Sequence, residues 1–141
     1  MNKKSTLCLV SCILLLVMAG CASAVLPRSP ELDGSEWVLF AIRKSRPIPN
    51  STLTITFNED QVNGSAGCNS FFGTYEIKND EISFSAMGMT EMACMQPEGI
   101  MEQEIEFISY LQDATRFKIE GDRLSIIRPD GETLTFDRVE K

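Results

Sequence analysis

Histidine is absent from all 141 residues. That excludes Ser-His-Asp and Cys-His catalysis, histidine-ligated zinc and histidine-ligated haem. No glycine-rich phosphate loop occurs. Basic residues are few: 13 Lys and Arg stand against 20 Asp and Glu, a formal net charge of −7. Such a balance argues against nucleic acid as a partner and against an electrostatic grip on anionic lipid. Long apolar runs are missing too. The longest, Leu7 to Ala19 with Ser11 inside it, falls short of the roughly 20 residues that a membrane-spanning helix needs.

That run belongs to a different pattern. Lys3 and Lys4 precede it, and Met18-Ala19-Gly20-Cys21 closes it. Charge, a short apolar stretch and then small residues form a secretory signal. Its end resembles a prokaryotic lipobox, in which the cysteine thiol takes a diacylglyceryl chain. The expected organisation is a signal peptide over 1–20, a tether over 21–33 lipidated at Cys21, and a folded domain over 34–141. The alternative is an ordinary signal peptide cut after Ala22-Ser23-Ala24. Losing Lys3 and Lys4 makes the mature chain more acidic still, so its hold on the membrane falls to acyl chains. A processed lipoprotein cysteine carries two or more, which stable anchoring requires. The expected location is the cell envelope, at the outer membrane in a Gram-negative cell because Ala22 rather than Asp follows Cys21.

Five cysteines then sort by position. Cys8 and Cys12 leave with the signal and Cys21 is the lipid site. Cys68 and Cys94 remain, in an oxidising compartment where a pair favours a disulfide over a metal site. Such a bridge would close a loop of about 27 residues, worth roughly 3–4 kcal/mol in the loop-entropy model. Two buried free thiols are the alternative.

The mature chain reads as short strands separated by turns. Trp37–Ile42 is apolar on both faces, which marks a central strand. Leu53, Ile55 and Phe57 alternate with threonines and form one face of a half-buried strand. Phe71–Ile77 and Glu81–Phe84 flank the turn Lys78-Asn79-Asp80. Phe117–Glu120 and Arg123–Ile126 flank Gly121-Asp122, and Thr133–Phe136 follows Pro129-Asp130-Gly131. Turn signals every 8–12 residues indicate an antiparallel sheet or small barrel. One segment departs from this rhythm. From Pro97 to Asp113 the apolar residues Met101, Ile105, Ile108 and Leu111 fall on one stripe, widened by Ile100 and Phe107. The spacing predicts one amphipathic helix over about 97–113, with Pro97 in its first turn. The fold class is therefore α+β, mainly β. Glu104 lies inside the apolar stripe, where a carboxylate must find a partner or sit at the edge. Backbone N–H groups near Asn69 or Thr90, and the guanidinium of Arg116, are the candidate partners.

Two stretches carry a family likeness. Gly64-Ser65-Ala66-Gly67-Cys68-Asn69-Ser70-Phe71-Phe72-Gly73-Thr74-Tyr75 resembles the G-x-x-G-C-N-x-F-x-G-x-Y signature of the META domain, the HslJ-like heat-shock lipoproteins. Thr90-Glu91-Met92-Ala93-Cys94 resembles the family's T-x-M-A-C signature. Glu104-x-x-Phe107-x-x-x-Leu111, the hairpin Phe117-x-Ile119-x-Gly121-x-x-Leu124 and Trp37 match further positions. The resemblance implies a compact β-rich fold with one helix and an envelope or stress-linked role. It brings no catalytic mechanism. In the signature, Gly64, Gly67 and Gly73 permit positive φ or close backbone approach. Asn69 can bond its own backbone in a turn, and Thr90 can do likewise or cap an element. Together these residues read as a structural knot pinning helix to sheet.

Two functions compete, and an enzyme is the third option: a pair such as Glu104 with a nearby acid could do acid–base work, but no spacing singles one out. The first is a non-enzymatic, lipid-tethered binding or stability module, monomeric, without cofactor, with an envelope protein or small ligand as partner. The second is soft-metal handling. Met87, Met89, Met92, Cys94 and Met95 gather five sulfurs in nine residues, and soft sulfur ligands select Cu(I). Core packing explains the same cluster more simply: Met87 and Met89 share one strand face, Met92 belongs to the family signature, and methionine fills irregular gaps.

Overall fold

The computed structural model describes residues 31–140. The signal peptide, Cys21 and most of the tether lie outside the described residues. Within them, eight antiparallel strands close into a barrel in chain order, and one helix is inserted between the fifth and sixth. The strands are β1 (Glu36–Ile42), β2 (Thr54–Asn58), β3 (Gln61–Ser65), β4 (Ser70–Lys78), β5 (Glu81–Met89), β6 (Arg116–Glu120), β7 (Arg123–Ile127) and β8 (Thr133–Arg138); the helix is α1 (Ile100–Gln112).

Alternation puts one face of every strand inside. Trp37, Leu39, Ile55, Phe57, Phe71, Tyr75, Leu124, Ile126, Leu134 and Phe136 are all buried. Closure makes β1 an interior strand, paired with β2 on one side and β8 on the other. Its second apolar face is not buried under another layer. Val38 and Phe40 face outward and are half-buried. The guanidinium groups of Arg46 and Arg123 lie 3.5 and 4.1 Å from the Phe40 ring centroid. Cation–π contact and the arginine stems thus shield an aromatic ring on the outer wall.

The barrel is weakly zipped at one place. β5 and β6 share a single rung, Glu81↔Arg116, supported by Ile82 N–H to Thr115 O at 3.1 Å and Phe117 N–H to Asp80 O at 2.9 Å. Beyond it the strands part. α1 packs against β5 and β8 and so covers an edge that would otherwise be open. In an antiparallel meander alternate connections share an end. The β1–β2, β3–β4, β5–α1 and β7–β8 connections therefore emerge together, and α1 crosses that end of the barrel. The opposite end is stoppered by Leu32, which is fully buried. Its carbonyl accepts from Ser35 Oγ, and Ser35 Oγ accepts from Trp37 Nε1 at 2.7 Å. Leu32 belongs to the core, although its sequence neighbourhood reads as tether.

The helix differs from its sequence pattern in two respects. It begins at Ile100, not at Pro97; a cis Gln96–Pro97 bond and Gly99 at φ 81° turn the chain before it. Its buried face is Ile100, Gln103, Glu104, Phe107, Tyr110 and Leu111. Ile105, expected in the apolar stripe, is 65% exposed, and Met101 and Ile108 are half-buried flanks. Two polar residues on the core-facing side make the apolar pattern point to the wrong stripe. Phe107 enters the core, with ring centroids 5.7 Å from Phe71 and 6.2 Å from Phe136. The methionines also divide. β5 runs on to Met89, through a bulge at Ala86 (φ 51°), and Met87 and Met89 pack against the core. Met92 and Met95 do not, being 55% and 84% exposed; core packing accounts for only part of the cluster.

The rotated helix face is directly testable. Phe107→Ala should cost about 3–5 kcal/mol in urea melts, the range for a buried aromatic. Ile105→Lys should stay within about 0.5 kcal/mol, as a surface change does.

Candidate functional site

At the end crossed by α1, the chain returns four times to the same place. β3 ends and the turn 66–69 begins. Gly64 lies where a Cβ would sit 2.0 Å from the Thr54 carbonyl oxygen, so β2 and β3 approach too closely for any side chain. Gly67 adopts φ +115°, and a Cβ there would meet Ile100 Cδ1 at 2.8 Å. The turn thus needs glycine both for its backbone and for room beside the helix. Gly73 lies on β4 beneath Met87, at the bulge.

This turn delivers Asn69 into the interior, where it is 2% exposed. Every polar group of Asn69 is used. Its N–H donates to Glu104 Oε2 at 2.6 Å, and its carbonyl accepts from Ala66 N–H at 2.8 Å. Nδ2 donates to Glu104 Oε1 at 2.7 Å and to Met92 O at 3.1 Å. Oδ1 accepts from Thr90 Oγ1 at 2.8 Å and from Met92 N–H at 2.7 Å. Thr90 Oγ1 in turn accepts from Ser70 N–H at 3.1 Å. One amide therefore ties together the β3–β4 turn, the end of β5 and the helix.

Glu104 is 1% exposed. Two charge-assisted bonds from one residue offset the cost of burying its carboxylate. The partner is Asn69; Arg116 is exposed on β6 and takes no part. Cys68 and Cys94 form a disulfide, with Cα atoms 6.0 Å apart, immediately beside this network. Glycines, Asn69, Thr90, Glu104 and the cysteine pair thus converge at one junction. Of the clustered methionines Met87, Met89, Met92 and Met95, it is Met92 that joins, through its backbone.

Sequence reasoning missed a second pair of anchors on α1. Gln103, buried next to Glu104, accepts from Ile48 N–H at 2.7 Å and donates from Nε2 to Ser51 Oγ at 3.0 Å, holding the β1–β2 connection. Tyr110 lies two turns further along. Its hydroxyl accepts from Arg43 Nε at 2.7 Å and donates to Glu132. Arg43 also pairs with Glu106, and Arg128 stands over the Tyr110 ring at 4.6 Å. Burial, then the bond to Glu132, raises the Tyr110 pKa, while Arg43 opposes the rise. The bond to Tyr110, ahead of the Glu106 charge, raises that of Arg43. The only signal for these residues was their spacing: 103, 104, 107, 110 and 111 share one helix face.

The META domain family model matches residues 30–141. The chain belongs to the META domain family. Among solved structures, the META domain here is similar to a protein from Burkholderia xenovorans determined by NMR: 29% identity, TM-score 0.66, covering 85% of this chain and 96% of that one. A second NMR structure shares 24% identity at TM-score 0.64, over 79% of this chain and 95% of that one. A duf4847 family protein from Bacteroides vulgatus, a crystal structure, shares 13% identity at TM-score 0.56, over 78% and 96%. These last two share the fold. No functionally curated protein matches the sequence.

The arrangement is chemically closed: its polar atoms face one another. Among the described residues no three His, Cys, Asp or Glu side chains gather as a metal site. A shallow groove of about 570 Å³ lies at the far end, lined by Glu31, Asp33, Glu36, Arg138 and Glu140 among others.

Two measurements follow from this geometry. Glu104→Gln keeps the shape but turns an amide N–H₂ toward a donor, so both it and Glu104→Ala should destabilise by about 1–3 kcal/mol in urea melts. Glu102→Ala, on the exposed face, should stay within about 0.5 kcal/mol. The second concerns pH. Because the folded Tyr110 pKa is raised above its ordinary 10.0, its contribution is whole below that value and is lost as pH rises through the folded pKa. Unfolding free energy should fall at alkaline pH, and Tyr110→Phe should flatten the fall.

Proposed function

We propose that this META domain protein is a lipid-anchored, non-enzymatic envelope module that acts by binding or by stabilising its surroundings. The observation that carries the non-enzymatic part is the closure of the signature network. Asn69 uses all its polar groups and Glu104 both its carboxylate oxygens inside the fold. A general acid or base needs a proton-accepting atom within reach of substrate, and the signature offers these two groups to the fold instead. The anchoring part rests on the sequence Met18-Ala19-Gly20-Cys21 after its apolar run. A tether from Cys21 enters the barrel at the Leu32 end, opposite the signature end. The stress-linked role comes from the family resemblance.

The soft-metal reading is weaker. The disulfide takes the thiolate of Cys94 out of the ligand set, and Met87 and Met89 pack on the core.

Anchoring is decided by intact-mass analysis of the full chain expressed in a bacterium and extracted from its membranes. The expected product begins at Cys21 and carries acyl chains, and Cys21→Ser should move the protein to the soluble fraction. A soluble, unmodified product beginning at Val25 would overturn the reading.

A further inference from the structure

The disulfide and the Asn69 network sit side by side but hold different things. The network fixes the chain as far as Met92, whose N–H and carbonyl both bond Asn69. Bonding to the rest of the fold resumes at Gly99, whose carbonyl accepts from Gln103 N–H at 3.0 Å as α1 begins. Between these points runs the segment 93–98. Its one backbone hydrogen bond is local, Ile100 N–H to Pro97 O at 3.1 Å. Among the described residues, no hydrogen bond or ion pair joins Ala93, Met95, Gln96 or Glu98 to the rest of the molecule. No strand pairs with the segment. Most of it is exposed, and Met95 is 84% exposed. One covalent link fastens it: Cys94 to Cys68. Both cysteines are only partly buried, which leaves the bond near the surface.

We infer that the Cys68–Cys94 bond is a reducible latch on the segment 93–98, and that its partner is a dithiol of the envelope's thiol–disulfide exchange machinery. The step balances in the usual way. A thiolate of the dithiol attacks one sulfur, the Cys68–Cys94 bond breaks, and a mixed disulfide forms. The second thiol of the reductant then displaces the protein sulfur. The reductant leaves as its own disulfide, and Cys68 and Cys94 are left as two thiols, having gained two electrons and two protons. Asn69, Thr90 and Glu104 contain no sulfur, so their bonds survive and the barrel and helix stay in place. What changes is the rim of the signature end: the Met95 segment passes from pinned to mobile. The choice of partner rests on the proposed envelope location; the latch itself does not.

Backbone amide NMR relaxation of the full chain, oxidised and after treatment with excess dithiothreitol, tests it. Reduction should lower the order parameters of the 93–98 amides from about 0.85 to below about 0.6, while those of β4 and α1 stay near about 0.85, the pattern of local rather than global loosening. The Cys68→Ser, Cys94→Ser double variant should show the reduced pattern without reductant. Three results would overturn the inference. The segment could keep its order after reduction, which would mean that packing holds it. Order could be lost through β4 and α1 as well, which would make the bridge a global staple. Or the disulfide could resist dithiothreitol while the chain remains folded.

Discussion

The buried carboxylate of Glu104 is the constraint on which the signature end depends. A carboxylate that is 1% exposed must be met by donors or it costs several kcal/mol. Asn69 supplies two, from its main chain and from its side chain. Meeting both fixes the rotation of α1 about its own axis. Gln103 then faces the β1–β2 connection, Phe107 drops between Phe71 and Phe136, and Tyr110 reaches Arg43 and Glu132. The Met101–Ile105 flank is left toward solvent as the geometric remainder. In the other direction, Asn69 can meet Glu104 only because Gly67 lets the turn pass close to Ile100.

The helix is also part of the barrel wall. With one rung between β5 and β6, the strands alone would leave an open edge, and α1 covers it. The end that carries the signature is therefore held by long-range side-chain bonds, while the rest of the wall is held by ladder hydrogen bonds between neighbours. This division separates the roles of the junction's parts. The amide–carboxylate network supports the fold. The disulfide, at the same junction, fastens an exposed segment that the network does not reach.

Much of this was legible in the chain. Alternating apolar residues announced β2, turn residues announced the hairpins, and the two signature stretches pointed to one shared contact. The cysteine pair followed from counting thiols. The bulge at Ala86 was not legible, because it breaks the period of two on which strand reading rests. Leu32 was not legible either. A single leucine among prolines and acids has no periodicity to mark it, and only the barrel's open end gives it somewhere to go.

The sequence by itself determined which faces of the strands are apolar, where the chain turns, which thiols are available to pair, and that one carboxylate falls among apolar helix positions. These are local properties, set by side-chain chemistry and the periods of helix and strand. Tertiary structure alone decided which helix stripe is buried. It also decided that Asn69 is the donor to Glu104, and that Gln103 and Tyr110 are anchors and not surface residues. The reason is physical. A polar residue can enter a core only where a specific partner, distant in sequence, satisfies it, and Glu104 finds its partner 35 residues away.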